Sequence, residues 1–201
     1  MSTSTMTSAR AAGDRRDRPA RAALVRLLYP ALAVGALWGV ALTVVELGYT
    51  TTPDGHPYRH TADYWLVGLG IPLALSALVV VHAVHALAAG HDGARGRWGA
   101  ALFSVPMVVF TALFVDGLVQ GESSSWGPTY LLCVLCSHVA LALLVAGLWR
   151  TELLPRGVLA LWFAGWFLGG PLSPPAGPLL LAAAYVVLAV QLRKSSRELS
   201  G

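Results

Sequence analysis

The chain has 201 residues, of which 56% are hydrophobic and only 12% charged. That balance excludes an ordinary soluble domain and a disordered chain, and it points to a polytopic membrane protein. The formal net charge of +4 does not mark a nucleic-acid binder, because the arginines sit where membrane topology wants them and form no binding stripe.

In chain order, residues 1–22 are polar and rich in Ser, Thr, Ala and Arg, and are expected as a disordered cytosolic tail. They do not read as a signal peptide, since the apolar run after them is too long for an h-region and no small-residue cleavage site closes it. Six apolar segments follow, near 23–46, 64–89, 98–120, 128–149, 156–171 and 178–192, with a second cytosolic tail over 193–201. The first four exceed the roughly 20 residues that a helix needs to cross the hydrocarbon core. The last two are shorter, and PLSPPAGP (171–178) separates them. Pro171, Pro174 and Pro175 cannot continue a helix, so helices five and six are expected as a tight hairpin whose tip lies below the outer surface. The expected fold is therefore an all-α, six-helix transmembrane bundle. With both termini in the cytosol, every Arg and Lys except Arg59 falls on the inner side, which is the positive-inside pattern.

Carboxylates gather at the outer ends. Glu46 closes helix one and Asp116 lies near the end of helix three, in FTALFVDGLVQ. Two readings fit them. Both acids sit at the lipid–water boundary and reach water, or both line one pocket. In the pocket, desolvation and a like-charged neighbour favour the protonated acid, which is a usable general acid. The loop 47–63 between helices one and two carries Asp54, His56, Arg59, His60 and Asp63. It is a solvated connection or a lid over the pocket mouth, and His56, His60 and Asp63 are an unspecific metal set. Aromatic residues crowd the same half: Trp65, Phe110, Phe114, Trp126, Tyr130, Trp166 and Phe167. They pack and form an interfacial belt, or their π faces line the pocket and stabilise cationic character.

Two further motifs carry less. HAVH sets His82 and His85 one turn apart near the inner end of helix two, where histidines bonded to backbone or headgroups are the default. In CVLCSH, Cys136 and His138 point to opposite faces of helix four and cannot share an ion. Cys133 and Cys136 share a small stripe with Thr129, Ser137 and Ala140, fit for helix packing. The CxxC also resembles the active site of membrane thiol–quinone oxidoreductases of the vitamin K epoxide reductase type, although the second cysteine pair of that family is missing here.

The layout from HPYRHTADYW through WGPTY to LWRTELLPRG resembles a broad set of small actinobacterial membrane proteins. An excess of 13 Arg over 1 Lys fits the GC-rich coding of such a source. More loosely, the size, helix number and membrane-embedded acids resemble the small integral-membrane terpene cyclases, which protonate an alkene or epoxide of a prenylated substrate. That resemblance implies a multi-pass protein of a bacterial cell membrane that cyclises an apolar isoprenoid. Glu46 and Asp116 would be its catalytic acids, and Trp65, Phe110, Phe114, Trp126 and Tyr130 would bind substrate. It implies no metal and no cofactor, lipid surroundings, and a prenyltransferase in the same pathway. A non-catalytic membrane partner and a small transporter stand as alternatives, the latter short of polar residues at mid-membrane.

Overall fold

Runs of Leu, Val and Ala offer lipid no polar side chains, and the backbone within them can satisfy its own hydrogen bonds only by coiling into helix. The computed structural model describes residues 4–52, 56–88, 90–123, 126–170 and 176–198. Among them are six α-helices and no strand: α1 (Ser4–Gly48), α2 (Thr61–Leu87), α3 (Gly93–Gln120), α4 (Gly127–Leu148), α5 (Arg156–Gly169) and α6 (Gly177–Glu198). Five segments are long and apolar enough to cross a membrane, namely Ala22–Gly48, Thr61–Leu87, Gly93–Gln120, Gly127–Leu148 and Gly177–Ser195. The chain is thus an all-α bundle of the multi-pass membrane type, as its composition requires. The polar residues 4–22, expected as a disordered tail, are helical backbone that leads into the apolar part of α1.

Each helix packs on its neighbour in sequence, and α6 returns to α1, so the bundle closes into a ring. The seam between α4 and α5 is the thinnest in that ring. Inward-facing positions recur at alternating steps of four and three, the spacing that keeps one stripe on one helix face. On α1 the stripe is Leu28, Leu32, Gly35, Gly39, Leu42 and Glu46; on α3 it is Phe103, Met107, Phe110, Phe114 and Gly117. Gly35 and Gly39 let α6 approach closely, in the manner of small-residue helix contacts in membranes. A Cβ at Gly35 would run into the Tyr185 ring, and one at Gly39 would meet the Pro178 carbonyl at 2.8 Å.

At 14 residues, α5 is about 21 Å long and cannot cross the roughly 30 Å core by itself. Its far end stays deep: the rings of Trp166 and Phe103 lie 5.2 Å apart. Phe103 is roughly 26 Å from the C-terminal end of α3 by the helical rise. At its N-terminal end α6 likewise meets α1 beside Gly39, about 14 Å below the end of α1. The α5–α6 pair therefore stops short of the end of the bundle that carries residues 49–60, called the outer end below. Pro171, Pro174 and Pro175, expected to form the hairpin tip, lie outside the described residues, as does Asp54.

Candidate functional site

The short α5–α6 pair leaves a space that the longer helices surround. It is a cavity of about 760 Å³, within the roughly 300–1,000 Å³ range of small-molecule sites. All six helices line it. Met107, Ala74 and Trp166 lie at its deep end, and Thr52 and His56 of the 49–60 loop cover its outer side.

Its α3–α4 wall is a closed circuit of four aromatic rings. Phe110 stacks on Phe114 at 6.1 Å, Phe114 meets Trp126 edge-on at 5.6 Å, Trp126 stacks on Tyr130 at 5.9 Å, and Tyr130 returns to Phe110 at 5.3 Å. Their positions explain it. Phe110 and Phe114 are one turn apart on the inward stripe of α3, and Trp126 and Tyr130 are one turn apart at the start of α4. Glycines on α2 and α3 leave room for these rings. A Cβ at Gly70 would come within 2.8 Å of the Phe114 ring, and one at Gly117 within 2.5 Å of Trp126.

The outer cover is held by one carboxylate. Asp63 is 4% exposed. It accepts hydrogen bonds from the Thr52 N–H at 2.7 Å, the Thr52 hydroxyl at 2.6 Å, the Arg59 N–H at 3.0 Å and the His60 N–H at 2.9 Å. The bond to His60, three residues earlier, is the reciprocal half of a helix capping box. Tyr58 N–H donates to the Gly121 carbonyl at 2.7 Å, which ties the same loop to the end of α3. The described ends of this loop are thus tied to α2 and α3. The histidines do not gather on Asp63, whose oxygens the loop itself engages.

Glu46 lines the cavity. Its carboxylate lies near the backbone of Ala176, a residue held at φ 69°, in the left-handed region that non-glycine residues seldom occupy. Oε2 of Glu46 is buried with no hydrogen-bond partner among the described residues, and so is Nε1 of Trp126 on the same cavity. Buried polar atoms are normally satisfied, so these two are open positions in the wall.

Asp116 does not join Glu46. It follows Phe114 by two residues, about 200° around α3, and its carboxylate accepts from the Gln120 amide at 3.2 Å on the exposed side. The expected pairing of Glu46 and Asp116 across a pocket is therefore absent; the second carboxylate of the cavity is Asp63. Trp65 is also outside it, 59% exposed and turned away from the bundle. Phe110, Phe114, Trp126 and Tyr130 all line the cavity, together with Trp166.

His82 and His85 toward the opposite end, and His138 midway along α4, are engaged locally. His82 Nε2 lies 2.7 Å from Ser104 Oγ, and His85 Nδ1 lies 2.5 Å from Asp92 Oδ2. The side chain of Asp92 has no exposed surface. His138 bonds the Val134 carbonyl of its own helix at 2.6 Å and meets the Phe167 ring edge-on at 5.1 Å. Both cysteines are free. Cys133 is buried and Cys136 is exposed, so the packed stripe of α4 is Cys133, Ser137 and Ala140, and it does not include Cys136 or Thr129.

The sequence reading places Asp63 only in an unspecific metal set, not in the role it has here, and does not single out Gly70 or Asp92. Asp63 had a signal: an acid three residues into a helix that follows a turn-rich loop. Gly70 had none, because the need for a glycine appears only when Phe114 is placed opposite it. The chain matches no protein-family model, no curated protein and no solved structure.

Proposed function

We propose that this membrane protein binds an elongated apolar molecule in the outer cavity and that Glu46 acts on it as a proton donor. The reaction such a set of groups can carry is proton-initiated cyclisation of an isoprenoid chain. The observation that carries the reading is Glu46 itself, among the described residues the one carboxyl group of the cavity left with an unpartnered oxygen, in the same cavity as the four-ring aromatic wall. A carboxyl proton adds to one carbon of an alkene and leaves its neighbour cationic. A second alkene closes the ring with its π pair, and the last cation returns a proton to the Glu46 carboxylate. The product is an isomer of the substrate, and nothing else is consumed. Phe110, Phe114, Trp126 and Tyr130 would face the cation with their π clouds and keep water out. In this reading the protein resides in a bacterial cell membrane, takes substrate from lipid, and acts after a prenyltransferase.

A non-catalytic binding role is the second reading. It is favoured by one observation: the other cavity carboxylate, Asp63, is fully engaged in holding the loop, which leaves Glu46 with no acidic partner. The test is product analysis in a host that makes farnesylated compounds. Wild type and Asp116→Asn are expected to yield a new cyclised isomer, and Glu46→Gln is expected to lose it at equal protein level. Persistence of the product in Glu46→Gln removes Glu46 as the acid. Retention of a prenylated ligand by wild type without any isomer establishes the binding role instead.

A further inference from the structure

The inner end of the bundle carries a second site, independent of the outer cavity. Where α4 and α5 pack most thinly, a cleft of about 460 Å³ opens between them, walled by Ala142, Val145, Ala146 and Phe163. Trp149, Arg150 and Arg95 line it too. The same Trp149 and Arg150 also border a neighbouring hollow of about 590 Å³ that holds Arg156 and Lys194. An apolar slot thus continues over Trp149 into a basic hollow.

The charge there is one-sided. Arg95, Arg150, Arg156 and Lys194 come from four different parts of the chain, and Glu152 is the one acid that lines either space. None of the four cations is in an ion pair among the described residues. Arginine offers phosphate oxygens paired hydrogen bonds. Apolar surface alone would fit any lipid tail. Cations alone would fit any anion near the membrane surface. The two joined through Trp149, at the basic end where the positive-inside rule puts the cytosolic leaflet, select a molecule that is anionic at one end and apolar at the other.

We propose that this seam is a binding site for an anionic glycerophospholipid of the inner leaflet. Its phosphate would lie among Arg95, Arg150, Arg156 and Lys194, and one acyl chain would lie in the cleft between α4 and α5. Basic pockets between helix ends at this face are a known setting for anionic headgroups. The bound chain would also cover the thinnest seam of the ring.

The test is native mass spectrometry of the full-length protein in detergent, titrated with phosphatidylglycerol or with phosphatidylcholine of the same chains. Wild type is expected to hold one phosphatidylglycerol at least tenfold more tightly than phosphatidylcholine. Arg150→Gln with Arg156→Gln should abolish that preference, Ala146→Phe should weaken binding by filling the cleft without changing charge, and Arg26→Gln should leave binding unchanged. Equal binding of the two lipids overturns the proposal, as does an Arg26→Gln loss equal to that of the double variant. If inorganic phosphate displaces the lipid completely and Ala146→Phe has no effect, the site holds a phosphate ion only, and the lipid assignment fails. Unchanged helical circular dichroism in each variant separates lost binding from lost folding.

Discussion

Both oxygens of Asp63 hold Thr52, one through its N–H at 2.7 Å and the other through its hydroxyl at 2.6 Å. One residue of α2 thereby fixes the segment that leaves α1, and the cover of the cavity depends on it. Replacing Asp63 by Ala removes the acceptor for four donors at once. Unmade buried bonds cost about 1–3 kcal/mol each, but donors near the outer end regain water, so about 2 kcal/mol of loop stability is the expected loss. Hydrogen exchange at the amides of Thr52, Arg59 and His60 should then speed up roughly tenfold to thirtyfold, with little change in the middle of α2. Thr52→Val, which deletes one of the four bonds to Asp63 and the weaker bond from the Arg59 N–H to the Thr52 hydroxyl at 3.1 Å, should show a smaller rise. Wild-type protection at Thr52 in Asp63→Ala would mean that something else holds the cover.

Gly70 and Phe114 form the second coupled pair. The ring fills the place where a Cβ would stand, 2.8 Å from its nearest atom. Gly70→Val forces the ring to move or the helices to part, and overpacking of this kind costs about 1–3 kcal/mol. Thermal unfolding in detergent should register that loss. The informative variant is the double one. If the clash is with Phe114, Phe114→Ala should restore much of the stability lost in Gly70→Val, a coupling of the kind contacting residues show. Simple additivity of the two changes would place the strain elsewhere.

Asp116 should be dispensable. Among the described residues its side chain is tied only to Gln120, across one turn of the exposed face of α3, and surface substitutions away from special features usually change stability by less than about 0.5 kcal/mol. Asp116→Asn is expected to keep both the melting temperature and whatever the cavity binds. A large loss of ligand in that variant would give Asp116 a role that its position does not explain.

The contrast between Asp116 and Glu46 shows what the sequence contained. Depth along the helix was readable for both acids, and depth alone made them a pair. Direction was readable too: Glu46 extends the four-three stripe of Leu28, Leu32, Gly35, Gly39 and Leu42, whereas Asp116 falls between Phe114 and Gly117 and misses the stripe of α3. The helical class, the shallow α5–α6 pair and four of the five expected aromatic residues follow from length, proline and spacing in the same way. Trp65 was misplaced because an aromatic residue at the lipid boundary and one in a pocket wall look alike until a neighbour is known. Asp63 and Asp92 act through partners far apart in sequence or folded back on a turn, and single-residue type gives no view of such pairings.

Asp92 supports a last prediction. Its carboxylate is wholly buried beside His85 Nδ1 at 2.5 Å, and its other oxygen has no partner among the described residues. Removing one partner of a hydrogen bond so that a buried group is left unsatisfied costs about 1–3 kcal/mol, whereas replacing both partners can be close to neutral. His85→Ala should therefore destabilise the protein. His85→Ala combined with Asp92→Asn should recover a good part of that loss, although it removes more native groups. Denaturant or thermal unfolding of the wild type, the two single variants and the double variant measures the coupling directly. A double variant less stable than His85→Ala would show that Asp92 is held by contacts other than His85, and the pairing would then be incidental to the packing of the α2–α3 turn.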